Sequence, residues 1–526
     1  MTNPLNETFR QLIERRAETN ASDTFLMFGD EVITFADLKA RIDRAAAGLK
    51  SVGIQPGDRI GLMLPTVPDH IYLFFALAWI GATALPISVH LKAMGIRTQL
   101  ASARPRMIIA DGGFGELVEA VADNASVEKV LWRGDGYPTS DPRFASLGEA
   151  IAAGGNVPPV AAGGLDRVCM ISYTSGTTGE PKGAVLTERW FQIGAKNAGL
   201  LAEVRAGDVL FLWEPFYHVA GWMTVLMSLQ HGVKTGMVER FSASKCWDQV
   251  RKFGATQLHY LGGAMNLLLK QPERADDTDN PVRIAWGAAA PTQSWRTFEQ
   301  RFGVTIREGY GITEAGNFTT LSHDGPVGSI GKAVDEFDVF IADESGKPLP
   351  DGEVGELVMR PKLPSITMKE YFGKPEKTAE VLRDGCVFSG DLGYRDANGY
   401  FYFSGRKKDA LRRRGENVSA WEVERVINAH PAVEESAVIG VASQMGEQDI
   451  KAFVRPAPEQ SVDPGEIYDW CEKHLAYYQL PRFIEVVEDF PRGPTQRIRK
   501  MELSTAAEAA WDSEVHRNSV KGKTHT

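Results

Sequence analysis

Tyr173-Thr-Ser-Gly-Thr-Thr-Gly-Glu-Pro-Lys-Gly183 packs four aliphatic hydroxyls, three glycines and one lysine into eleven residues. Glycine lets a backbone turn its N–H groups into a concave nest, while Ser175, Thr177 and Thr178 add hydroxyl donors and Lys182 adds a point charge. This composition suits a polyphosphate. It is not a Walker loop, because Pro181 stands five positions after Gly176, where that motif needs its second glycine before Lys182. The apolar run Val168-Cys-Met-Ile-Ser-Tyr173 reads as a strand entering the loop and Ala184-Val-Leu186 as a short strand leaving it. The expected geometry is a phosphate-gripping hairpin. Composition alone favours a flexible Ser/Thr/Gly linker, so the loop has to be weighed with its partners along the chain.

On the N-terminal side, Phe9, Leu12, Ile13 and Ala17 recur at helical spacing, as do Leu38, Ile42, Ala45 and Leu49, with Gly53 placed to end the second helix. Strands and helices then alternate: strands over 59–64, 106–110 and 127–132, helices over 69–79 and 114–122. Beyond the loop the rhythm returns, with strands over 209–213, 257–261, 283–286 and 305–308 and helices over 222–230, 247–253, 264–270 and 295–302. Such alternation predicts helix-covered sheets, in two similar α/β halves with no internal repeat to relate them. From about Gly325 the texture changes to short β-prone runs divided by glycines, such as Gly355-Glu-Leu-Val-Met359 and Tyr400-Phe-Tyr-Phe403, which read as an all-β subdomain over about 325–405.

A charged stretch with a glycine at each end, Gly405-Arg-Lys-Lys-Asp-Ala-Leu-Arg-Arg-Arg-Gly415, marks a domain boundary. The expected division is therefore 1–405 and 406–526. Ser419-Ala-Trp-Glu422 reads as a capping box opening a helix to Ala429. Strands over 436–441, 450–454 and 483–487 and a helix over 466–475, preceded by Asp463, complete a compact α+β domain. The stretch from Ala510 to Thr526 is polar and expected to fray.

Composition bounds the function. A hydrophobic share of 43% and a charged share of 24% are those of a soluble globular chain. A net charge of −10 argues against nucleic acid as a partner, since duplex binding rests on basic neutralisation of phosphates. Cys169, Cys246, Cys386 and Cys471 lie far apart, so neither a zinc site nor a disulfide framework is readable and a reducing cytoplasm fits. Met1-Thr-Asn-Pro-Leu-Asn-Glu7 carries no basic patch followed by an apolar core, so no secretory signal is expected. The apolar run 71–87 falls short of the ~20 residues of a bilayer span and reads as a buried helix and its exit, with no integral membrane segment expected.

The loop, Glu308-Gly-Tyr-Gly-Ile-Thr-Glu314, Ser389-Gly-Asp391 and Gly405-Arg-Lys-Lys-Asp409 follow one another in an order and spacing that resemble the adenylate-forming superfamily: acyl-CoA synthetases, carrier-linked adenylation domains and beetle luciferases, whose adenine and acyl-pocket segment Trp286-Gly-Ala-Ala-Ala-Pro291 also resembles. The resemblance runs from about residue 10 to residue 505. Phe241-Ser-Ala-Ser-Lys-Cys-Trp247, Arg414-Gly-Glu-Asn-Val-Ser419 and Asp449-Ile-Lys-Ala-Phe453 bring it nearest to crotonobetaine or carnitine-CoA ligases. It implies an α/β fold with a large N-terminal domain and a small mobile C-terminal α+β domain hinged near Asp409. It also implies ATP, Mg²⁺, coenzyme A and a small-molecule carboxylic acid.

Carried onto these residues, the resemblance places Thr174, Ser175, Gly176, Thr177, Thr178, Gly179 and Lys182 around the β- and γ-phosphates, with Thr178 nearest. Glu314 would reach Mg²⁺, Thr313 the α-phosphate, and Tyr310 would stack on adenine beside Gly287, Ala288, Ala289, Glu308, Gly309 and Gly311. Asp391 would accept both ribose hydroxyls, a good match of one carboxylate to a diol. Arg406 would hold the nucleotide, Gly415 and Glu416 lie in the thioester-stage loop, and the Arg412-Arg-Arg414 triplet faces either solvent or coenzyme A. His218, in Phe216-Tyr-His-Val-Ala-Gly221, matches an aromatic gate between the acyl site and the pantetheine tunnel. Trp213, Trp222, Met223, Leu261, Trp286, Ile312, Asn317 and Thr319 are candidates for the acyl pocket wall or for plain core.

One position departs from the family. Pro494-Thr-Gln-Arg497 stands where the family has Pro-Thr-Gly-Lys, so Arg497 replaces the lysine that bridges carboxylate and α-phosphate, with Lys500 a nearby substitute. A planar fork is not a compact ammonium. Three readings stay open: an acid–CoA ligase, a stand-alone adenylation enzyme loading a carrier protein, and a nucleotide-binding regulator with impaired adenylation. A homodimer is likewise left open.

Overall fold

The computed structural model describes residues 6–111, 115–122, 124, 126–136, 139–155, 164–174, 181–407, 410–413, 416–443, 448–475, 479–492, 498–508 and 510–515. They form two compact units. One comprises the chain up to Thr174 with Pro181–Val339 and Met359–Phe388; the other comprises Phe340–Val358 and the chain from Ser389 onward.

The first unit holds two sheets with parallel centres, the two α/β halves expected. One runs Phe144–Ser146, Lys129–Arg133, Met107–Asp111, Arg59–Met63, Thr83–Pro86, Val168–Thr174 and Lys182–Thr187, all parallel except the last, antiparallel pair. Its core is mainly aliphatic, with Leu85, Ile87, Ile108, Val130 and Ile171 buried against the helices Ala93–Ala103 and Gly115–Ala122, and Trp132 and Phe144 in the same cluster. Helix Pro68–Ile80 is buried on nearly every face, as a helix apolar all round must be. It gives way to a short strand, Thr83–Pro86, that the sequence patterning did not mark, and among the described residues no helix is long and apolar enough to cross a membrane.

The other sheet runs Ser329–Ala333, Thr320–Ser322, Thr305–Tyr310, Ile284–Ala288, Gln257–Leu261, Val209–Leu212, Lys234–Met237, Thr24–Phe28 and Glu31–Thr34. Its parallel centre carries the C-terminal strand ends on which ligands gather in open α/β sheets. Sequence patterning passed over several of these elements: the hairpin Thr24–Phe28/Glu31–Thr34, the strand Lys234–Met237 and the helix Glu188–Leu201.

In the second unit residues 391–395 pair antiparallel with Phe401–Arg406. A four-stranded sheet, Val433–Ala442, Gln448–Pro456, Phe483–Val486 and Trp511–Asp512, packs under the helices Ala420–Asn428 and Pro464–His474. Asp463 caps the latter, accepting from the Gly465 and Glu466 N–H groups. The side chains of Ser419 and Glu422, the expected capping box, lie outside the described residues.

Two expectations need correction. The β-rich stretch is not all-β, because the helix Pro375–Val381 interrupts it. The chain end does not fray from Ala510: Trp511–Asp512 pairs with Phe483 and Ile484, and the Ser513 N–H donates to the Arg482 carbonyl. Trp511 hides its indole against Tyr468, a hydrophobic gain that polarity averaged over the segment conceals. All four cysteines are buried and unpaired.

Candidate active site

The glycine-hydroxyl stretch is framed by a hairpin. Val168–Thr174 and Lys182–Thr187 pair in antiparallel register up to Tyr173 opposite Gly183 and Thr174 opposite Lys182. The Thr174 hydroxyl donates to the Lys182 carbonyl at 3.3 Å. Ser175, Gly176, Thr177, Thr178 and Gly179 lie outside the described residues. A second segment runs beside the exit strand: the Val185 N–H donates to the Glu370 carbonyl, and the Lys369 and Phe372 N–H groups donate to the Val185 and Gly183 carbonyls.

That strap carries Tyr371, which sequence reasoning did not single out. Its ring centroid lies 4.7 Å from Lys182 Nζ, and its hydroxyl donates to Glu314 Oε1. Burial, reinforced by the Glu314 charge, pushes the phenol well above its ordinary pKa, so it stays a donor. Lys374, three residues on, donates from Nζ to the Pro181 carbonyl at 3.3 Å, bringing a second ammonium to the loop's exit. The available signal was the run Glu370-Tyr-Phe-Gly-Lys-Pro375, an aromatic pair and a lysine ahead of a proline-initiated helix.

Glu314 reaches Tyr371 from a single turn of 3₁₀ helix, Thr313–Ala315, that follows the strand Thr305–Tyr310. The turn is tight. A Cβ on Gly311 would fall 1.1 Å from the Asn317 carbonyl oxygen, so only glycine fits. The Thr313 carbonyl accepts from the Trp190 indole at 2.9 Å, and Tyr310 is buried at the strand end.

Glu308 turns inward. Its carboxyl accepts from the Ala289 N–H at 2.6 Å, from the Ala290 N–H and from the Tyr260 hydroxyl. It thus buckles the turn after Ile284–Ala288, in which Ala289 adopts a left-handed φ of 62°. Desolvation raises the Glu308 pKa to about 8. Gly287 is the other fixed point, since a Cβ there would lie 1.9 Å from the Tyr260 carbonyl oxygen.

The pocket candidates divide into groups. Trp213 and Trp286 flank His259, with Trp286 also edge-on to Phe318 at 6.3 Å. Trp222 is fully buried with Phe74, Phe216 and His70, its indole donating to the Phe216 carbonyl. Met223 and Asn317 both crowd Gly194, Thr319 is buried, Ile312 is half-buried and Leu261 is 46% exposed. His218 precedes the helix Val219–His231, and desolvation lowers its pKa to about 4, leaving a neutral imidazole at physiological pH.

In the second unit Asp391 is buried, with Arg406 opposite it in the ladder and Arg406 Nε 3.3 Å from its Oδ1. Its N–H donates to Ser389 Oγ, which itself donates to the Leu357 carbonyl, and the Gly390 N–H donates to Glu356. Asp409, Gly415, Arg414 and Arg497 lie outside the described residues, as do the side chains of Arg412, Arg413 and Glu416, although Ala410–Arg413 and Glu416–Ser419 pair as two strands. Lys500 is engaged by Glu424 at 2.7 Å.

Sequence profiles of two families match: AMP-binding enzyme over residues 13–372 and AMP-binding enzyme C-terminal domain over residues 422–497. A crotonobetaine/carnitine–CoA ligase of Salmonella heidelberg (strain SL476) is 30% identical over 514 residues, covering 94% of this chain and 99% of the relative. Among solved structures, the anthranilate CoA ligase AuaEII in complex with anthranoyl-AMP superposes with a TM-score of 0.84 at 26% identity, covering 96% of this chain and 98% of that one. A benzoate CoA ligase from Burkholderia xenovorans LB400 gives a TM-score of 0.84 at 25% identity, covering 94% and 99%. On its residues, its two-sheet architecture and these likenesses, the chain belongs to the AMP-binding enzyme family.

Proposed function

We propose that the protein joins a carboxylic acid to coenzyme A at the expense of ATP, through an acyl-adenylate. The acid's carboxylate oxygen attacks the α-phosphorus, the bond to pyrophosphate breaks, and the coenzyme A sulfur then attacks the activated carbonyl, releasing AMP and the thiol proton. Chemistry of this kind needs in-line positioning and charge neutralisation more than covalent help. The reading is carried by one observation: Lys182, at the exit of the glycine-hydroxyl hairpin, and Glu314, on the turn after Thr305–Tyr310, converge on the single ring of Tyr371.

In this reading Thr174 to Lys182 hold the β- and γ-phosphates, with Thr178 nearest. Glu314 holds Mg²⁺, an ion that keeps several waters and takes its remaining oxygens from phosphates, so one carboxylate suffices. Its chemistry, when bound, is neutralisation of phosphate charge. Thr313 touches the α-phosphate, and Tyr310 and the Gly287-Ala-Ala289 turn face adenine, with Glu308 holding that turn in place. Asp391 and Arg406 take the ribose, and the neutral His218 gates the pantetheine path without acting as a base. Arg497 stands in for the bridging lysine. The domain boundary at residue 405 and the hinge at Asp409 belong to the same proposal, because two half-reactions need different groups at one site. Four unpaired thiols support a reducing cytoplasm.

Carboxylate-dependent exchange of pyrophosphate into ATP tests the reading, and coenzyme A against a phosphopantetheinyl carrier then separates a free ligase from a carrier-loading enzyme. Unaltered exchange in both Lys182→Ala and Glu314→Ala would overturn the site assignment.

A further inference from the structure

Among the acyl candidates lies a buried pair that the reaction leaves unused. His259 sits within the strand Gln257–Leu261, and Glu214 follows the end of the neighbouring strand Val209–Leu212. His259 Nδ1 is hydrogen-bonded to Glu214 Oε1, the two residues being 4% and 2% exposed. Trp286, directly opposite in the ladder, places its ring 4.4 Å from the imidazole. Trp213 stacks at 6.3 Å and donates its indole N–H to the His259 carbonyl at 2.9 Å. Phe241 lies 4.8 Å beyond Trp213.

A carboxylate buried among aromatic rings is costly for a core unless it is paired, and a plain core would fill this space with hydrocarbon. The pairing leaves the other face of the imidazole uncommitted. With Glu214 on Nδ1, that nitrogen carries the ring proton and the ring's orientation is fixed. Nε2 has no hydrogen-bond partner among the described residues.

We propose that His259, oriented by Glu214, is a specificity-determining residue that reads a hydroxyl on the acid, away from the carboxylate that is activated. The inference rests on the ligase reading and names its substrate class: a hydroxylated acid with an apolar skeleton. A hydroxyl both donates and accepts, so it satisfies Nε2 whether the ring is neutral or charged. Trp213, Trp286 and Phe241 supply contact for the skeleton. An acid lacking the hydroxyl would displace water from Nε2 and leave it unpaired, the kind of loss by which enzymes reject a deoxy analogue.

The test measures thioester formation by the full chain with ATP, Mg²⁺ and coenzyme A, using pairs of aromatic and alicyclic acids that differ by one hydroxyl. Binding is followed in parallel by the change in intrinsic tryptophan fluorescence of the full chain. The expected result is a pair whose hydroxylated member has a kcat/KM on the order of 100-fold higher. In His259→Phe that preference collapses through loss on the hydroxylated acid alone; His259→Asn, which keeps a polar side chain, gives the same loss should the first variant fold poorly. Glu214→Gln weakens the preference and alters its pH profile without abolishing turnover. Equal losses on both members in the histidine variants, or a wild-type preference for the deoxy member of every pair, would overturn the proposal. Failure of every acid to form a thioester would count against the ligase reading instead, and the fluorescence titration then decides this one, with equal affinities for both members overturning it.

Discussion

The hydroxyl of Tyr371 donates to Oε1 of Glu314 while the face of its ring lies 4.7 Å from Lys182 Nζ. One residue on a strap thus ties the hairpin exit to the turn that carries the candidate metal ligand. A phenol kept protonated by burial and by the neighbouring carboxylate holds Oε1 of Glu314, while Oε2 has no hydrogen-bond partner among the described residues.

Tyr371→Phe keeps the ring beside Lys182 and removes only the hydroxyl. Partners that orient a metal ligand are worth roughly 10–100-fold in metal affinity. A Mg²⁺ titration of pyrophosphate exchange is expected to shift to higher concentration by about that factor, with saturating activity changed less.

Glu308 predicts an inverted pH dependence. Its folded pKa is raised to about 8, so between the ordinary carboxylate range and pH 8 the unfolded chain releases a proton that the folded chain keeps. Its contribution to stability is full at low pH and falls as pH rises through that window, by about 2–4 kcal/mol. Glu308→Gln retains an acceptor for the Ala289 N–H and removes the titration. Comparing urea midpoints at pH 5 and pH 8 should show a smaller drop for the variant than for the wild type.

Gly311→Ala forces a methyl to within 1.1 Å of the Asn317 carbonyl oxygen, a backbone atom that cannot swing aside. A loss of more than about 3 kcal/mol is expected, with exchange activity lost because Glu314 follows three residues later. Gly263→Ala is the control: nothing lies within 4 Å of its Cβ, and thermal melting should be nearly unchanged.

Asp391→Asn keeps the size of a buried group and removes its charge. Hydrogen bonds to a charged acceptor contribute about 1.5–3 kcal/mol, so the KM for ATP is expected to rise roughly 10–100-fold. The KM for the acid should stay constant in the same steady-state measurements.

Arg497→Ala should separate the half-reactions. On the bridging role proposed for it, removal of the Arg497 charge is expected to slow pyrophosphate exchange by about 10²–10³-fold. Thioester formation from a supplied acyl-adenylate should proceed as before.

The strand-helix alternation of the first unit was legible because buried parallel strands and amphipathic helices have different periods. The helix Glu188–Leu201 escaped because Glu188, Gln192 and Asn197 are buried in it, breaking the expected polar face. Lys234–Met237 is four residues long with a lysine and a glycine inside it, too short for any period. Motifs written contiguously, such as 308–314, could be read as units. Tyr371 lies 57 residues from Glu314 and His259 lies 45 from Glu214, so only folding brings those pairs together.

The four thiols have a practical corollary. Cys169, Cys246, Cys386 and Cys471 are all buried, so the native chain offers a maleimide no exposed sulfur. One surface cysteine introduced into each compact unit would therefore take a donor and acceptor dye without background, and the wild-type scaffold becomes a ready host for single-molecule distance measurements during turnover.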